Sequence, residues 1–209
     1  EQGYEAVIFA VGASKPGILK LESGETMNAL EFLGEFKEKD GDLDLGKHVV
    51  VIGGGNTAMD TARAAKRTKG VETVSLVYRR TKRYMPADEE ELLMAVEDGV
   101  EFKELLAPVR LENGRLICRV MKLGDIDDSG RRGVTETEET REVLADTVIV
   151  AVGEKVPSEL YEANGIHVNE RGKAMVREDT CETNLEGIYV VGDGLGGPAT
   201  VVELSLIHI

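Results

Sequence analysis

The chain has 209 residues, and its 39 acidic and 25 basic residues give a formal charge of −14. Its length is sufficient to bury a hydrophobic core, as one large domain or as two small ones. The acidic balance argues against a general nucleic-acid binder, and no apolar run approaches the roughly 20 residues of a membrane span. Cys118 and Cys181 form neither a CxxC nor a metal-ligand spacing. We therefore expect a cytoplasmic protein with no metal site, no signal peptide, no membrane span and no nucleic-acid partner.

Four apolar runs that contain or end in glycine predict the strands of a parallel sheet. In chain order they are AVIFAVG (residues 6–12), HVVVIGGG (48–55), TVIVAVG (147–153) and GIYVVGD (187–193). Short β-branched runs of this kind are typical of strands that are buried on both faces. The first and third runs are nearly identical, which suggests two related strand ends, since no fixed short period runs through the chain.

The segments between these runs alternate between helix and strand patterns. Residues 56–68 favour a helix, residues 73–77 a strand, and a further helix should begin at Pro86 and end near Gly99. Residues 100–150 predict a strand followed by an antiparallel meander, with turns at residues 112–114 and 127–130.

Two stretches are candidates for crossings between domains. Residues 36–47 are polar, charged and glycine-bearing, which predicts a linker, and a second crossing is expected near residues 154–157.

The strongest chemical signal is a G-x-G-x-x-A motif, residues 53–58, between a predicted strand and a predicted helix. Its first glycine permits a tight turn, its second lets a pyrophosphate approach the backbone, and its alanine allows close packing of helix and strand. The helix N-terminus supplies donors for phosphate. We therefore predict that a dinucleotide is bound by Gly53, Gly54, Gly55, Asn56, Thr57 and Ala58. The alternative, a glycine-rich turn that binds nothing, leaves the order of strand, motif and helix unexplained.

The residues that follow the next strand should determine whether the dinucleotide is NAD or NADP. An NAD-binding protein usually has an acidic residue about 20 positions beyond the motif, which accepts from the ribose 2′-hydroxyl. Here the sequence continues as VYRRTKR (residues 77–83), so Arg79, Arg80 and Arg83 stand where a 2′-phosphate would be bound. A basic run is more often a solvated face, but this position favours NADPH.

These motifs together resemble a known family. The segments VVVIGGGNTAMD, LVYRR, YMPADEEEL and GIYVVGD are similar to the pyridine-nucleotide oxidoreductases typified by the glutamate synthase small subunit. Within that superfamily the chain looks closest to FAD/NADPH subunits of the selenate reductase type. The resemblance covers about residues 1–203.

The resemblance implies an α/β fold in which a Rossmann-like NADPH domain, a parallel sheet plus an antiparallel meander, is inserted into a partial FAD domain. Residues 1–45 would be an FAD-domain segment with its linker, residues 46–153 the NADPH domain, and residues 154–203 the second FAD-domain segment. By this resemblance Gly12 and Gly153 are crossover glycines where strands meet the dinucleotide. Asp193 matches an aspartate that accepts a hydrogen bond from the flavin ribityl chain, the alternative being a simple turn or cap acid, and Gly192, Ala199 and Thr200 are further cofactor-binding positions. The first FAD motif is absent, so we expect a truncated chain, and the terminal LSLIHI (residues 204–209) is expected to be a foreign tail.

The resemblance also implies a function. NADPH would reduce FAD, and electrons would pass to 4Fe-4S clusters or to a catalytic partner domain or subunit outside this chain. No side chain is expected to act as acid, base or nucleophile, because His48, His167 and His208 are scattered and the CxxC of thioredoxin reductases is missing. The alternatives are a non-catalytic dinucleotide-sensing module, and an NADPH–ferredoxin reductase or thioredoxin reductase-like flavoenzyme. By itself the fragment is expected to bind NADPH without retaining FAD.

Overall fold

The computed structural model describes residues 3–126 and 132–197. Its contacts divide the chain into two compact units, a larger one of residues 16–153 and a smaller one of residues 1–15 with 154–209. The division falls between residues 15 and 16 and between residues 153 and 154, and the domain boundaries expected near residues 45 and 154 stay predictions. Residues 36–47 are not a linker, because the first helix extends through Glu38 and Leu45 is buried in the core of the larger unit.

The elements of the described residues follow in chain order. The strands are β1 (Val7–Phe9), β2 (Lys15–Pro16), β3 (Met27–Asn28), β4 (His48–Gly53), β5 (Thr73–Tyr78), β6 (Glu101–Glu104), β7 (Leu106–Glu112), β8 (Arg115–Ile126), β9 (Arg132–Leu144), β10 (Thr147–Ala151), β11 (Glu154–Lys155) and β12 (Ile188–Val190). The helices are α1 (Ala29–Glu38), α2 (Asn56–Arg67), α3 (Glu89–Glu97), α4 (Ser158–Ala163) and α5 (Asp193–Gly196), with a 3-10 turn at Lys82–Tyr84. None of these helices has the length and apolar character that crossing a membrane requires.

The larger unit is built on a parallel sheet in the order β3-β10-β4-β5-β6. After their first residues, β4, β5 and β10 are buried along their whole length, as their β-branched runs predict. One face packs against α1, α2 and α3 through side chains that include Phe32, Met59, Val51 and Leu76. The small side chains of Ala58, Ala62 and Ala65, all fully buried, let α2 lie close to the sheet.

The other face of the sheet is covered by the predicted antiparallel meander, β7-β8-β9. Val50, Val77 and Val148 of the sheet share a core with Leu116 and Val143 of the meander. The β7–β8 turn has Asn113 and Gly114 at φ of 51° and 70°, which suits the twist of a two-residue hairpin. The turn predicted at residues 127–130 lies outside the described residues.

Helix α3 begins at Glu89, three residues later than the predicted start at Pro86. The N–H of Ala87 donates to the Gly54 carbonyl (3.0 Å), and the N–H of Asp88 donates to Asn56 Oδ1 (3.0 Å). Residue 88 is therefore held extended, with φ −62° and ψ 141°, and the helix can start only after it.

The smaller unit contains a parallel pair, β1 with β12, and its core includes Phe9, Tyr161 and Val190. The Phe9 and Tyr161 rings meet edge to face at a centroid distance of 6.2 Å. The prediction that the first apolar run is buried on both faces is wrong, since Val7 and Ile8 are exposed. Among the described strands β1 pairs with β12 alone, so no second neighbour helps to cover it. A short ladder pairs β2 with β11.

Candidate functional site

The glycine motif lies at the carboxyl edge of the parallel sheet of the larger unit. Strand β4 ends at Gly53, and α2 begins at Asn56 with Gly55 as its N-cap. No side chain caps this N-terminus within the described chain. In open α/β sheets ligands bind in the crevice at the carboxyl ends of the strands, and an uncapped helix start offers N–H donors to an anion.

The three glycines of the turn have different surroundings. A Cβ on Gly53 would lie 2.3 Å from the Ala151 carbonyl oxygen and 2.9 Å from the Ala58 Cβ, so this position is required by the contact between strand and helix. A Cβ on Gly54 would lie 2.4 Å from the Tyr78 ring. Around Gly55, by contrast, nothing described lies within 4 Å of the added atom. Only Gly55 therefore leaves open space against the backbone for a phosphate.

The remaining residues of the motif, Asn56, Thr57 and Ala58, form hydrogen bonds or packing contacts within the protein. Asn56 Nδ2 donates to Asp88 Oδ2 at 3.1 Å, in addition to accepting from the N–H of Asp88. The Thr57 carbonyl accepts from the Thr61 hydroxyl at 2.6 Å, and Ala58 is fully buried. The side chain of Asn56 thus serves to connect the turn to residue 88, a role that the motif alone does not indicate.

The three predicted arginines lie on the segment that follows β5, residues 79–88, which we call the arginine strap. Its start is fixed by the N–H of Leu105, which donates to the Arg80 carbonyl at 3.2 Å. The N–H of Lys82 donates to the Glu104 carboxylate at 3.1 Å. The Tyr78 hydroxyl donates to the Tyr84 carbonyl at 2.7 Å. The strap is therefore held by hydrogen bonds along its length.

The arginine side chains themselves lack acidic partners in the described part of the chain. Arg79 and Arg83 are exposed and form no ion pair there, while Arg80 is half-buried and donates only through Nε, to the Arg132 carbonyl at 3.0 Å. Several other arginines have acidic partners: Arg63 Nε, for example, lies 2.8 Å from Asp98 Oδ2 and holds the pKa of that carboxyl below its usual value. Unpaired arginines in so acidic a chain leave guanidinium groups available to an anion.

Gly153 lies at the same edge of the sheet as the glycine turn. Ala151 of β10 is in register with Gly53, and the Gly153 carbonyl accepts from the N–H of Gly17 at 2.8 Å. A Cβ on Gly17 would lie 2.6 Å from the carbonyl oxygens of Val152 and Gly153. Sequence reasoning did not identify Gly17, although the Pro16-Gly17 pair is a turn signal.

In the smaller unit, the ends of β1 and β12 bring Gly12 and Gly192 into the same region, at φ of 66° and 67°. A Cβ on Gly194 would lie 3.6 Å from both the N and O atoms of Gly12, so the turns after the two strands are in contact. Asp193 begins the four-residue helix α5. Ala199 and Thr200 lie outside the described residues, as does the predicted foreign tail.

Comparison with known proteins agrees with this architecture. The profile of the family described as pyridine nucleotide-disulphide oxidoreductase matches residues 1–204. YgfK of Escherichia coli K12, described as a candidate oxidoreductase, is 44% identical over 205 residues, 96% of this chain and 20% of YgfK. The NADPH-dependent glutamate synthase small chain of Azospirillum brasilense is 35% identical over 95% of this chain and 45% of its own length. The chain thus spans less than half of these relatives.

The structural neighbours support the same fold. FprA from Mycobacterium tuberculosis, a structure solved with NADPH, superposes with a TM-score of 0.75 at 22% identity, covering 96% of this chain and 60% of FprA. The thioredoxin reductase of T. acidophilum gives a TM-score of 0.63 at 21% identity, with 96% and 61% coverage. At this identity the likeness concerns the fold alone, and it confirms the predicted Rossmann-like α/β architecture.

Proposed function

The chain belongs to the pyridine nucleotide-disulphide oxidoreductases, enzymes that bind FAD and NADPH, and we propose that its residues 16–153 bind NADPH for electron transfer in a larger flavoprotein. The observation that carries this proposal is that two anion-binding features lie side by side at one edge of the sheet. They are Gly55, which leaves open space at the uncapped start of α2, and the arginine strap, whose arginines have no acidic partners in the described part of the chain.

The pyrophosphate would be held by the backbone of the glycine turn. The missing side chain at Gly55 lets phosphate oxygens approach main-chain N–H groups at the start of α2, where the helix dipole favours negative charge. Gly53, Gly54 and Ala58 would act indirectly, by keeping the turn tight against β10 and Tyr78.

The adenosine 2′-phosphate would be bound by the strap. Arg79 and Arg83 offer free guanidinium forks, and the anchored Nε of Arg80 leaves its two terminal nitrogens for a phosphate. The two residues that follow β5 directly are Arg79 and Arg80, so no carboxylate stands at these positions to accept a hydrogen bond from a ribose 2′-hydroxyl. This arrangement favours NADPH over NADH.

As the family resemblance implies, Asp193 would accept a hydrogen bond from the flavin ribityl chain, with Gly192, Ala199 and Thr200 as further cofactor-binding positions. Gly12 and Gly153 would be glycines where strands meet a dinucleotide. When bound, NADPH would supply a hydride to the flavin, and the protein would contribute binding and orientation, with no side chain acting as acid or base. We propose that the electrons then pass to iron–sulfur clusters or to a partner subunit. A relative that supports this is the NADPH-Fe(3+) oxidoreductase subunit beta of Geobacter sulfurreducens, 34% identical over 97% of this chain and 35% of its own length.

The binding proposal can be tested by calorimetric titration of the 209-residue chain with NADP⁺. Gly55→Ala should weaken binding at least tenfold while leaving the melting temperature unchanged, because its Cβ meets no described atom but would stand where the phosphate approaches. Gly34→Ala, on the exposed side of α1, is the matched control and should bind as the wild type does. Wild-type affinity in Gly55→Ala, or no binding by the wild type, would contradict the proposal.

A further inference from the structure

We propose that Tyr78 is a positioning residue for selectivity between NADPH and NADH, acting through the arginine strap. This inference rests on the proposed NADPH site. Tyr78 is the last residue of β5, it is 9% exposed, and it immediately precedes Arg79. Its side chain is therefore directed into the protein, while Arg79 is exposed and Arg80 is half-buried.

The two ends of the Tyr78 side chain contact different parts of the site. The ring lies against Gly54, where an added Cβ would meet Cε2 at 2.4 Å and Cδ2 at 2.6 Å. The hydroxyl donates to the Tyr84 carbonyl at 2.7 Å, at the last residue of the 3-10 turn. One side chain thus joins the pyrophosphate turn to the part of the strap that carries Arg83.

The other hydrogen bonds that join the strap to the rest of the larger unit lie on either side of this bond, while Met85 packs against the core and the turn at residues 81–85 has two main-chain hydrogen bonds of its own. Near its start, Arg80 and Lys82 are held by Leu105 and Glu104. At its end, Ala87 and Asp88 are held by the glycine turn. Between these anchors the Tyr78 hydroxyl is the side-chain hydrogen bond that holds the 3-10 turn at residues 82–84 to β5. Without it this turn would sample more conformations, and Arg83 would be less well placed.

The expected consequence is specific to the 2′-phosphate. Tyr78→Phe keeps the ring and its contact with Gly54, so the pyrophosphate turn should be unchanged. Losing one hydrogen bond that preorganises an arginine should weaken binding of the phosphorylated nucleotide by about three- to tenfold. NAD⁺ has no 2′-phosphate and should be affected by less than about twofold.

The test is calorimetric titration of the 209-residue chain with NADP⁺ and with NAD⁺. Tyr161→Phe is the matched control, because it also removes a tyrosine hydroxyl that donates to a main-chain carbonyl, that of Gly194 at 2.9 Å, in the smaller unit. The control should lower stability without changing the ratio of the two affinities. In an Arg83→Ala background, Tyr78→Phe should change NADP⁺ affinity by less than twofold.

The outcomes separate the inference from the proposed function. Suppose that the wild type prefers NADP⁺ and that Tyr78→Phe keeps the same ratio of NADP⁺ to NAD⁺ affinity, or loses affinity for both nucleotides equally. This result overturns the role of Tyr78 and leaves the proposed function standing. A wild type with no preference for NADP⁺ overturns the proposed phosphate site and this inference with it. A full Tyr78→Phe effect that persists in the Arg83→Ala background also overturns the inference.

Discussion

Asn56 and Asp88, 32 positions apart in the chain, exchange two hydrogen bonds of 3.1 and 3.0 Å. The Asn56 amide donates to the carboxylate and accepts from the N–H of Asp88. The N–H of Ala87 adds a third bond to the turn, to the Gly54 carbonyl. The arginine strap therefore closes back onto the glycine turn, and two motifs that are separate in the sequence form one structural unit.

Asn56 and Asp88 should be coupled energetically. Asn56→Ala and Asp88→Ala each remove the bond between the side chains, so the double variant should lose less stability than the sum of the two single variants. We expect a coupling free energy of about 0.5–1 kcal/mol, since both side chains are exposed. Urea unfolding of the four proteins measures it, and strictly additive losses would show that the contact contributes nothing.

Gly54→Ala should destabilise the larger unit without any ligand being present. The new Cβ would lie 2.4 Å from the Tyr78 ring, which is buried and fixed by its hydroxyl, so either the ring or the turn must move. We expect the free energy of unfolding to fall by about 1–3 kcal/mol in urea titrations. The companion variant Gly55→Ala should unfold as the wild type does, and equal losses in both would contradict the distinction between the two glycines.

The sequence predicted the strands of the sheet because their burial depends on local apolar runs such as residues 48–53. It did not predict contacts that join distant residues. Two leucines, Leu43 and Leu45, anchor a stretch whose composition is that of a linker. Helix α3 starts late because the N–H of Asp88 donates to Asn56 in the glycine turn. Residue 54 must be glycine because the ring of Tyr78 packs against it. Neither cause is visible in a local pattern.

Asp146, which lies at the other end of the sheet, should make the stability of the protein depend on pH. It accepts from the N–H groups of His48 (2.9 Å) and Lys47 (2.8 Å), which lower the pKa of its carboxyl. Its stabilising contribution is therefore complete above the unfolded pKa of about 4 and is lost as pH falls through the lower folded pKa. Asp146→Asn should be less stable than the wild type at pH 7, and urea titrations at pH 3 should show that difference reduced. A difference that grows at pH 3 would refute this assignment.

Cys118 should be unreactive in the folded protein. It is fully buried in the core beneath the meander, and burial raises the pKa of its thiol to about 12. The thiolate is the reactive species, so a thiol reagent at pH 8 should label Cys118 only as the chain unfolds. In a Cys181→Ser variant, where Cys118 is the remaining cysteine, the labelling rate should follow the urea unfolding curve. Rapid labelling in the native state would show that the thiol is accessible.

The proposed nucleotide site is tested most directly by the ratio of NADP⁺ to NAD⁺ affinity in Arg79→Ala/Arg80→Ala, measured by calorimetry. Losing two phosphate-binding guanidinium groups should weaken NADP⁺ binding at least tenfold and NAD⁺ binding less than about threefold. Arg141→Ala is the control, because this exposed arginine lies nine residues along β9 from Arg132, which is about 30 Å of strand. We predict that the preference for NADP⁺ disappears in the double variant and persists in the control; an unchanged ratio in the double variant would contradict the assignment of the strap to the 2′-phosphate.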